Sequence, residues 1–571
     1  MTADVSLDHS HRSRCDLLVI GSGAAGLTAA LTAARRGLRV IVIEKEADFG
    51  GTTALSEGMI WVPMSRQAVA AGVEDSEAAA LTYMRAAAGR YFSPGKAAAY
   101  VHNASAMLAF VEANTLARFT LAAYSPDYHQ ELPGATIGAR AFNPGLFDGR
   151  LLGRAFARLK PPMATTMILG GMTIASADLP HFMALRRSPR AIAHVAGLIG
   201  RYGLDRLTGH RRGTRIANGN GLIAALLLAL KERGVSLISQ TRAIGLDHGN
   251  GRITGARVVA PEGERTIFAE RGVVLACGGF AGDPELKRRF YAHVRAGKSH
   301  VSLAPATNTG DGLRLALDAG AVLDEAVDQP AAWTPVSLVP YADGQKVPFP
   351  HYIDRGKPGV IAVDRRGRRF TNEAEPYHRF VPSMIRACEA DAEVEAWLIA
   401  DARALRSYGL GAVPPAPGRI GPFLRSGYLM SGQTPSALAR TLGLDENAFV
   451  RTVETFNRGA RTGDDPEFGK GSTAFNRAYG DAAHTPNPCV APLEEPPFYA
   501  VRVLPGDIAT FIGLSSDATA RVLDAAGQPI AGLYAAGNDM TSPFGGDYPA
   551  AGITIGSAMT FGFIAGRHAA L

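Results

Sequence analysis

The chain has 571 residues, 59 Lys and Arg against 52 Asp and Glu for a net charge of +7, 47% hydrophobic residues, 65 Gly and 4 Cys. That apolar content belongs to folded domains and excludes a disordered chain, and the length fits about two to four domains. The cysteines, Cys15, Cys277, Cys388 and Cys489, have no C-x-x-C spacing, so neither a disulfide scaffold nor a metal site is expected.

The first element in chain order is an apolar run, Cys15 to Ile20, that reads as a buried parallel strand. Gly21-Ser22-Gly23-Ala24-Ala25-Gly26 follows, then an Ala-rich helix to Arg36, a capping Gly37, and a second strand from Val40 that ends at Glu44. Gly21 permits the tight turn, Gly23 lets the backbone approach a pyrophosphate, and Gly26 lets the helix pack on the strand. The helix N-terminus offers free N–H groups and positive potential to phosphates. Glu44, eighteen residues after Gly26, can accept a hydrogen bond from a ribose hydroxyl. Strand, turn, helix, strand and acid in order make a dinucleotide-binding unit.

Three later features favour FAD over NAD. Gly50-Gly51-Thr52-Thr53 offers a second close backbone approach. Val273 to Gly279 and Gly532 to Asn538 are apolar strands running into glycines, and the second precedes a final helix. Such a return segment closes an FAD site. The predicted cofactor contacts are Gly21, Ser22, Gly23, Ala24, Ala25, Gly26, Glu44, Lys45, Gly50, Gly51, Thr52, Thr53, Ser56, Gly58, Ala243, Ala276, Gly278, Gly537, Asn538, Gly552, Ile553 and Thr554.

The expected fold is α/β, a Rossmann-like FAD-binding domain split in sequence by an inserted α+β cap. Its first part is residues 1–282, with a helix from Gly221 to Arg233 and a β-rich stretch from Ser236 to Val259 turning at Gly249-Asn250-Gly251. Residues 283–490 form the catalytic insert. Residues 491–571 are the return, with a hairpin between Leu523 and Pro529.

Four stretches together resemble the 3-ketosteroid Δ1-dehydrogenases of the fumarate reductase-like flavoproteins. They are Gly21 to Pro63 with Ile60-Trp61-Val62-Pro63, Pro126-Asp127-Tyr128-His129, Arg369-Phe370-Thr371-Asn372-Glu373 leading to Pro376-Tyr377, and Gly546-Asp547-Tyr548-Pro549-Ala550-Ala551-Gly552. The resemblance implies FAD as cofactor and 1,2-desaturation of a 3-ketosteroid. Tyr377 would be the base at the α carbon, Tyr128 its helper, and Tyr548 with the Gly552 N–H the clamp on the ketone oxygen. A hydroxyl plus an N–H is an oxyanion-hole arrangement. A phenol near pKa 10 is mostly protonated at neutral pH, and a neighbouring hydroxyl is expected to lower it. The plainer readings are a loop tyrosine for Tyr128, a loop anchor for Tyr377, a packing tyrosine for Tyr548 and a helix start for Gly552. Asn372 and Glu373 read as structural or flavin-side groups, and His129 and His378 as groups that tune the pocket.

Two departures stand out. Ser56-Glu57-Gly58-Met59 replaces the family's small-residue run, so Glu57 either points to solvent or marks a different substrate. Pro549-Ala550-Ala551-Gly552 replaces a Pro-Gly-Pro-Gly turn but keeps its spacing. The competing readings are a desaturase for a smaller cyclic ketone of cyclohexanone type, a fumarate reductase-like ene-reductase, and a flavin carrier without turnover. The ene-reductase reading lacks the His and Arg expected between Phe544 and Gly552.

The net charge is local. Residues 151–212 hold ten basic groups against Asp178 and Asp205, a window of +8 that also carries Met163, Met167, Met172 and Met183. A solvated basic face or an oligomer contact is one reading. The other is a peripheral contact with an anionic membrane, from which an apolar ketone is drawn. No nucleic-acid motif accompanies the charge. Apolar runs stay near ten residues, short of the roughly eighteen of a spanning helix, so a cytoplasmic protein with membrane-peripheral contact through 151–212 is expected. The sequence names no electron acceptor; a quinone is the candidate.

Overall fold

A computed structural model describes residues 13–178, 181–182, 188–341 and 343–571. Its eight-stranded sheet is built around Arg14–Ile20. This strand pairs in parallel with Val40–Ile43 on one side and with Gly263–Leu275 on the other. Ser236–Ile238 extends the sheet beyond Val40–Ile43. Leu17, Leu18 and Val19 are fully buried, as are Val42 and Ile43, beneath the helix Ala24–Arg35 that packs on the sheet. The strands therefore read as continuous apolar runs without alternation.

The long strand Gly263–Leu275 has two further partners besides Arg14–Ile20. Its first half pairs antiparallel with Arg252–Ala260, which forms a hairpin with Arg242–Gly249 through Asn250 and Gly251. Its last residues pair in parallel with Pro529–Ala535. The return thus places a C-terminal strand beside the N-terminal unit, and Leu523 pairs with Pro529 as a hairpin. The final helix, Ile553–Ala569, packs along the first, Ala24–Arg35. Gly562 makes this approach possible: a Cβ there would stand 2.3 Å from the Ala25 carbonyl oxygen.

A second sheet of seven strands carries Lys346–Pro350, Ala331–Pro340, Phe498–Thr510, Ala396–Ala400 and Val360–Val363 in that order. Phe498–Thr510 lies at its centre, so residues after 490 serve both sheets. The α/β fold with a Rossmann-like sheet and a second α+β unit agrees with the sequence expectation. Within 151–212 the structure has a 3-10 run over Gly149–Arg158, a ribbon of Met167–Ile168 against Met172–Thr173, and the helix Pro189–Leu207. Met183, Arg186 and Arg187 lie outside the described residues. Among the described residues no helix is long and apolar enough to cross a membrane.

Candidate active site

A cavity of about 410 Å³ runs from the first strand ends to the start of the final helix. At one end lies the nucleotide cradle. Gly21 has φ +108°, and a Cβ there would stand 2.1 Å from the Ala276 carbonyl oxygen, so only glycine fits where two parallel strands end side by side. The Ser22 N–H and hydroxyl both donate to Glu44 Oε2, at 3.1 and 2.6 Å, and the Glu46 N–H donates to Oε1. The Glu44 carboxylate is thereby fixed at the cavity wall. Gly23 precedes the helix, and a Cβ there would meet only the Thr53 hydroxyl oxygen, at 3.8 Å, so the space before the helix N-terminus stays open. Thr53 Oγ1 accepts from the Ala24 N–H.

Of the predicted cofactor contacts, Gly26, Gly50 and Ile553 lie behind the cavity wall, and the others line it. Gly26 acts as expected between helix and strand, where a Cβ would come within 2.0 Å of the Gly21 carbonyl oxygen. Gly50 donates its N–H to the Ser22 hydroxyl. Ile553 is fully buried in the core.

Arg242, Thr307, Asn308 and Asp311 also line the cavity and carry no sequence expectation, whereas Lys45 is an expected contact. Lys45 Nζ reaches Thr309 Oγ1 at 3.0 Å and Asp311 at 2.9 Å, and Arg242 binds the other oxygen of Asp311 at 3.1 Å. Asn308 donates to Thr52 Oγ1 and to the Gly278 carbonyl. The Thr307-Asn308-Thr309-Gly310-Asp311 loop carried a signal, a Gly/Asn/Asp cluster just before a helix. Asp539, fully buried behind the wall, accepts the Cys277 and Gly279 N–H groups at 2.5 and 3.0 Å and so shapes the glycine turn. Burial pushes its carboxyl above the usual carboxylate range.

At the other end three tyrosines from distant stretches converge. The Tyr128 and Tyr377 hydroxyls are 3.4 Å apart. The Tyr548 ring stacks on Tyr128 at 5.7 Å and meets Tyr377 at 5.3 Å. Tyr377 is the first residue of the helix Tyr377–Ala387. Gly552, with φ +89°, caps the final helix, and a Cβ there would collide with the Ile60 backbone at 2.6 Å. The Gly552 N–H and the Thr554 hydroxyl lie close enough to the Tyr548 phenol to lower its pKa against the effect of burial, which sets the phenol beside a helix-start N–H.

The expected lowering of the base does not occur. Burial dominates and pushes the Tyr377 phenol well above 10, with Tyr128, Tyr548 and Tyr352 adding to it. Burial likewise raises Tyr128 and Tyr548. Two further tyrosines complete the cluster: Tyr352 lies 5.0 Å from the Tyr377 ring, and Tyr479 hydrogen-bonds Tyr128. Behind them the buried Arg355 guanidinium donates to the His351 and Glu373 carbonyls.

A protein-family model described as an FAD binding domain matches residues 16–555. The 3-oxosteroid 1-dehydrogenase of Mycobacterium tuberculosis is 34% identical over 566 residues, covering 97% of this chain and 98% of that protein. This chain belongs to the 3-ketosteroid Δ1-dehydrogenase family of flavoproteins. Also similar is the 4-oxocyclohex-2-ene-1-carboxylate 5-dehydrogenase of Sinomonas cyclohexanicum, 39% identical over 97% of this chain and 94% of that one. The crystal structure of 3-ketosteroid Δ1-dehydrogenase from Sterolibacterium denitrificans with 1,4-androstadiene-3,17-dione superposes with a TM-score of 0.89 at 36% identity, covering 98% and 99% of the two chains.

As a member of this dehydrogenase family the protein is an FAD-dependent oxidoreductase. The cradle fits the cofactor: an acid fixed for a ribose, open glycines before a helix N-terminus for phosphates, and a second helix start beside the tyrosines. Glu57 is the unexpected wall residue of this family member. It lines the cavity as an exposed side chain and accepts from Asn218 Nδ2 at 3.0 Å. Among the described residues no cation lies within salt-bridge distance of it; the cavity's cationic side chains, Lys45 and Arg242, are both engaged by Asp311 at the nucleotide end. The cavity that holds the tyrosines is also lined by the apolar Met59, Met163, Leu303, Ile353 and Ile508. Glu373 is structural: fully buried, it accepts Arg369 Nε and Nη2 at 2.8 Å and the Ala362 N–H at 3.0 Å. Asn372 likewise bonds Asn476 within the insert.

Proposed function

We propose that this dehydrogenase desaturates a neutral, apolar cyclic ketone, a 3-ketosteroid, across its 1,2-bond. The observation that carries the reading is the pairing of the tyrosine cluster with an apolar wall that offers a carboxylate, Glu57, and, among the described residues, no free cation. A ketone oxygen set between the Tyr548 hydroxyl and the Gly552 N–H would gain hydrogen bonds that strengthen as negative charge builds on it. That polarisation acidifies the α carbon, whose proton Tyr377 takes. Tyr128, at hydrogen-bond distance, steadies the Tyr377 oxygen. A raised phenol is scarcer as phenolate at neutral pH but a stronger base once ionised. Bound FAD supplies the acceptor for the hydride leaving the β carbon.

The relative that acts on 4-oxocyclohex-2-ene-1-carboxylate favours a second reading, a small ring bearing a carboxylate. Glu57 opposes it, because a substrate carboxylate held beside the Glu57 carboxylate meets like charge. Anaerobic mixing of the yellow enzyme with a panel of 3-ketosteroids, cyclohexanones and 4-oxocyclohexanecarboxylates separates the two. Bleaching by steroids supports the first reading, and bleaching by the carboxylates alone replaces it with the second.

We also propose that the substrate arrives from a membrane surface, where a quinone could serve as acceptor. The helix Pro189–Leu207 exposes Ile192, Ile199, Leu204 and Leu207 beside Arg190 and Arg206, and Met163 links the same segment to the cavity. Flotation with anionic liposomes, lost on charge reversal of Arg190 and Arg206, tests this; absence of flotation in the wild type ends it.

A further inference from the structure

The three phenols come from residues 128, 377 and 548, and no local structure relates them. Tyr128 and Tyr548 lie in loops and Tyr377 opens a helix. Each has a chain neighbour that turns away from the cavity, and the three neighbours meet. His129 Nε2 lies 2.7 Å from Asp547 Oδ2, and His378 Nε2 lies 3.9 Å from Asp547 Oδ1. The imidazoles are nearly sealed, with side chains 2% and 3% exposed.

Proton placement follows from the partners. His378 Nδ1 accepts the Trp333 N–H at 3.2 Å, so its Nε2 carries the proton, beside the Gly546 backbone and 3.9 Å from Asp547 Oδ1, beyond hydrogen-bond distance. Burial and the nearby His129 ring push His378 down to about 4, so it is neutral at physiological pH. His129 Nδ1 is buried with no hydrogen-bond partner among the described residues, so Nε2 is the ring's donor. Burial would raise Asp547, but the hydrogen bond from His129 outweighs it and holds the carboxyl below its usual range. The backbone adds two stitches. The Pro549 carbonyl accepts the Tyr128 N–H at 2.7 Å and the Tyr83 hydroxyl at 2.6 Å, and the His129 N–H donates back to Tyr83 at 3.2 Å.

A side chain pinned one residue away fixes the backbone from which a tyrosine projects. From this juxtaposition we infer that Asp547, acting through His129 and His378, is the positioning residue that sets the three phenols against one another. The inference rests on the desaturase reading for its kinetic consequence but not for its geometry. Neither imidazole touches the cavity, so neither exchanges protons with substrate.

The test uses the FAD-loaded enzyme and its Asp547→Asn variant, which keeps size and removes the charge. With rates normalised to bound FAD, kcat for a 3-ketosteroid should fall by about a hundredfold, the usual cost of about 1 Å of misplacement, while KM stays within about threefold. A purely structural role would lower Tm and the FAD-loaded fraction and leave normalised kcat within about twofold, which overturns the proposal. Should Asp547→Asn not fold, His378→Gln replaces it with the same expected split between kcat and KM. A crystal structure of whichever variant folds provides the arm independent of turnover. Displacement of Tyr548 from its stack on Tyr128 supports the brace; three phenols in unchanged positions overturn it. Failure of the wild type to bleach with any ketone removes the desaturase reading and leaves the brace to be decided by the crystal structure.

Discussion

Replacing Tyr548 by Phe removes one oxygen and almost nothing else. The ring is 3% exposed and is held by Tyr128 at 5.7 Å, Tyr377 at 5.3 Å and Phe511 at 6.3 Å, contacts that a phenylalanine keeps. The lost group is the hydroxyl proposed to donate to the ketone oxygen. A neutral carbonyl gains little from that donor, and the enolate-like state gains much more, so the loss falls on the chemical step. One oxyanion donor is worth roughly 2.7–4 kcal/mol, which at 1.36 kcal/mol per decade is about 10²- to 10³-fold. Stopped-flow measurement of anaerobic flavin bleaching should show the limiting rate down by that factor, with the substrate concentration at half-saturation nearly unchanged. A limiting rate within about threefold of wild type would refute the role of Tyr548, and an equal rise in half-saturation with no loss of rate would recast it as a binding group.

Tyr377→Phe should abolish bleaching while the visible spectrum shows FAD still bound; retained turnover would move the base elsewhere. Because burial raises the Tyr377 phenol, its reactive phenolate grows with pH, so kcat/KM should climb about tenfold per unit from pH 7 towards 9; a flat profile would contradict this. Glu57→Gln should raise kcat/KM for 4-oxocyclohexanecarboxylate relative to cyclohexanone by about tenfold, measured as a ratio within one enzyme, and an unchanged ratio would show that Glu57 does not select charge. Glu373→Gln should cost about 3–5 kcal/mol, read as a lower denaturation midpoint, since it disrupts a fully buried Arg369 that also binds Asp465 at 2.7 and 2.8 Å. The Arg369 pair outweighs burial and holds Glu373 below the usual carboxylate value, so its stabilisation is full at neutral pH and is lost as pH falls through that depressed value.

The nucleotide cradle is legible in the sequence because it is local. Strand, glycine turn, helix and Glu44 follow one another within some thirty residues, and each residue type has one physical reason. The tyrosines are legible only through family resemblance, since nothing in their own surroundings brings residues 128, 377 and 548 together; long-range strand pairing around Phe498–Thr510 and the final helix does that. Tyr352 and Tyr479 carry no pattern, as each reaches the cluster from the edge of an unrelated element. Asp539 follows the flagged Gly537-Asn538, but its use in holding the Cys277 turn appears only when the two strand ends lie side by side. The tyrosine pKa shifts run against the motif's expectation for a related reason: a neighbouring hydroxyl is visible in a motif, whereas burial is a property of the whole fold. The basic segment remains the opposite case, a plain feature of the sequence whose partner no motif names.

The most direct measurement is a titration of the oxidised enzyme with one equivalent of a saturated 3-ketosteroid in the absence of oxygen, with mass analysis of the recovered steroid. The account predicts stoichiometric loss of the yellow flavin absorbance and a product two hydrogens lighter, unsaturated next to the carbonyl. An unbleached flavin with the steroid recovered intact, while a 4-oxocyclohexanecarboxylate is oxidised in the same cuvette, would contradict it.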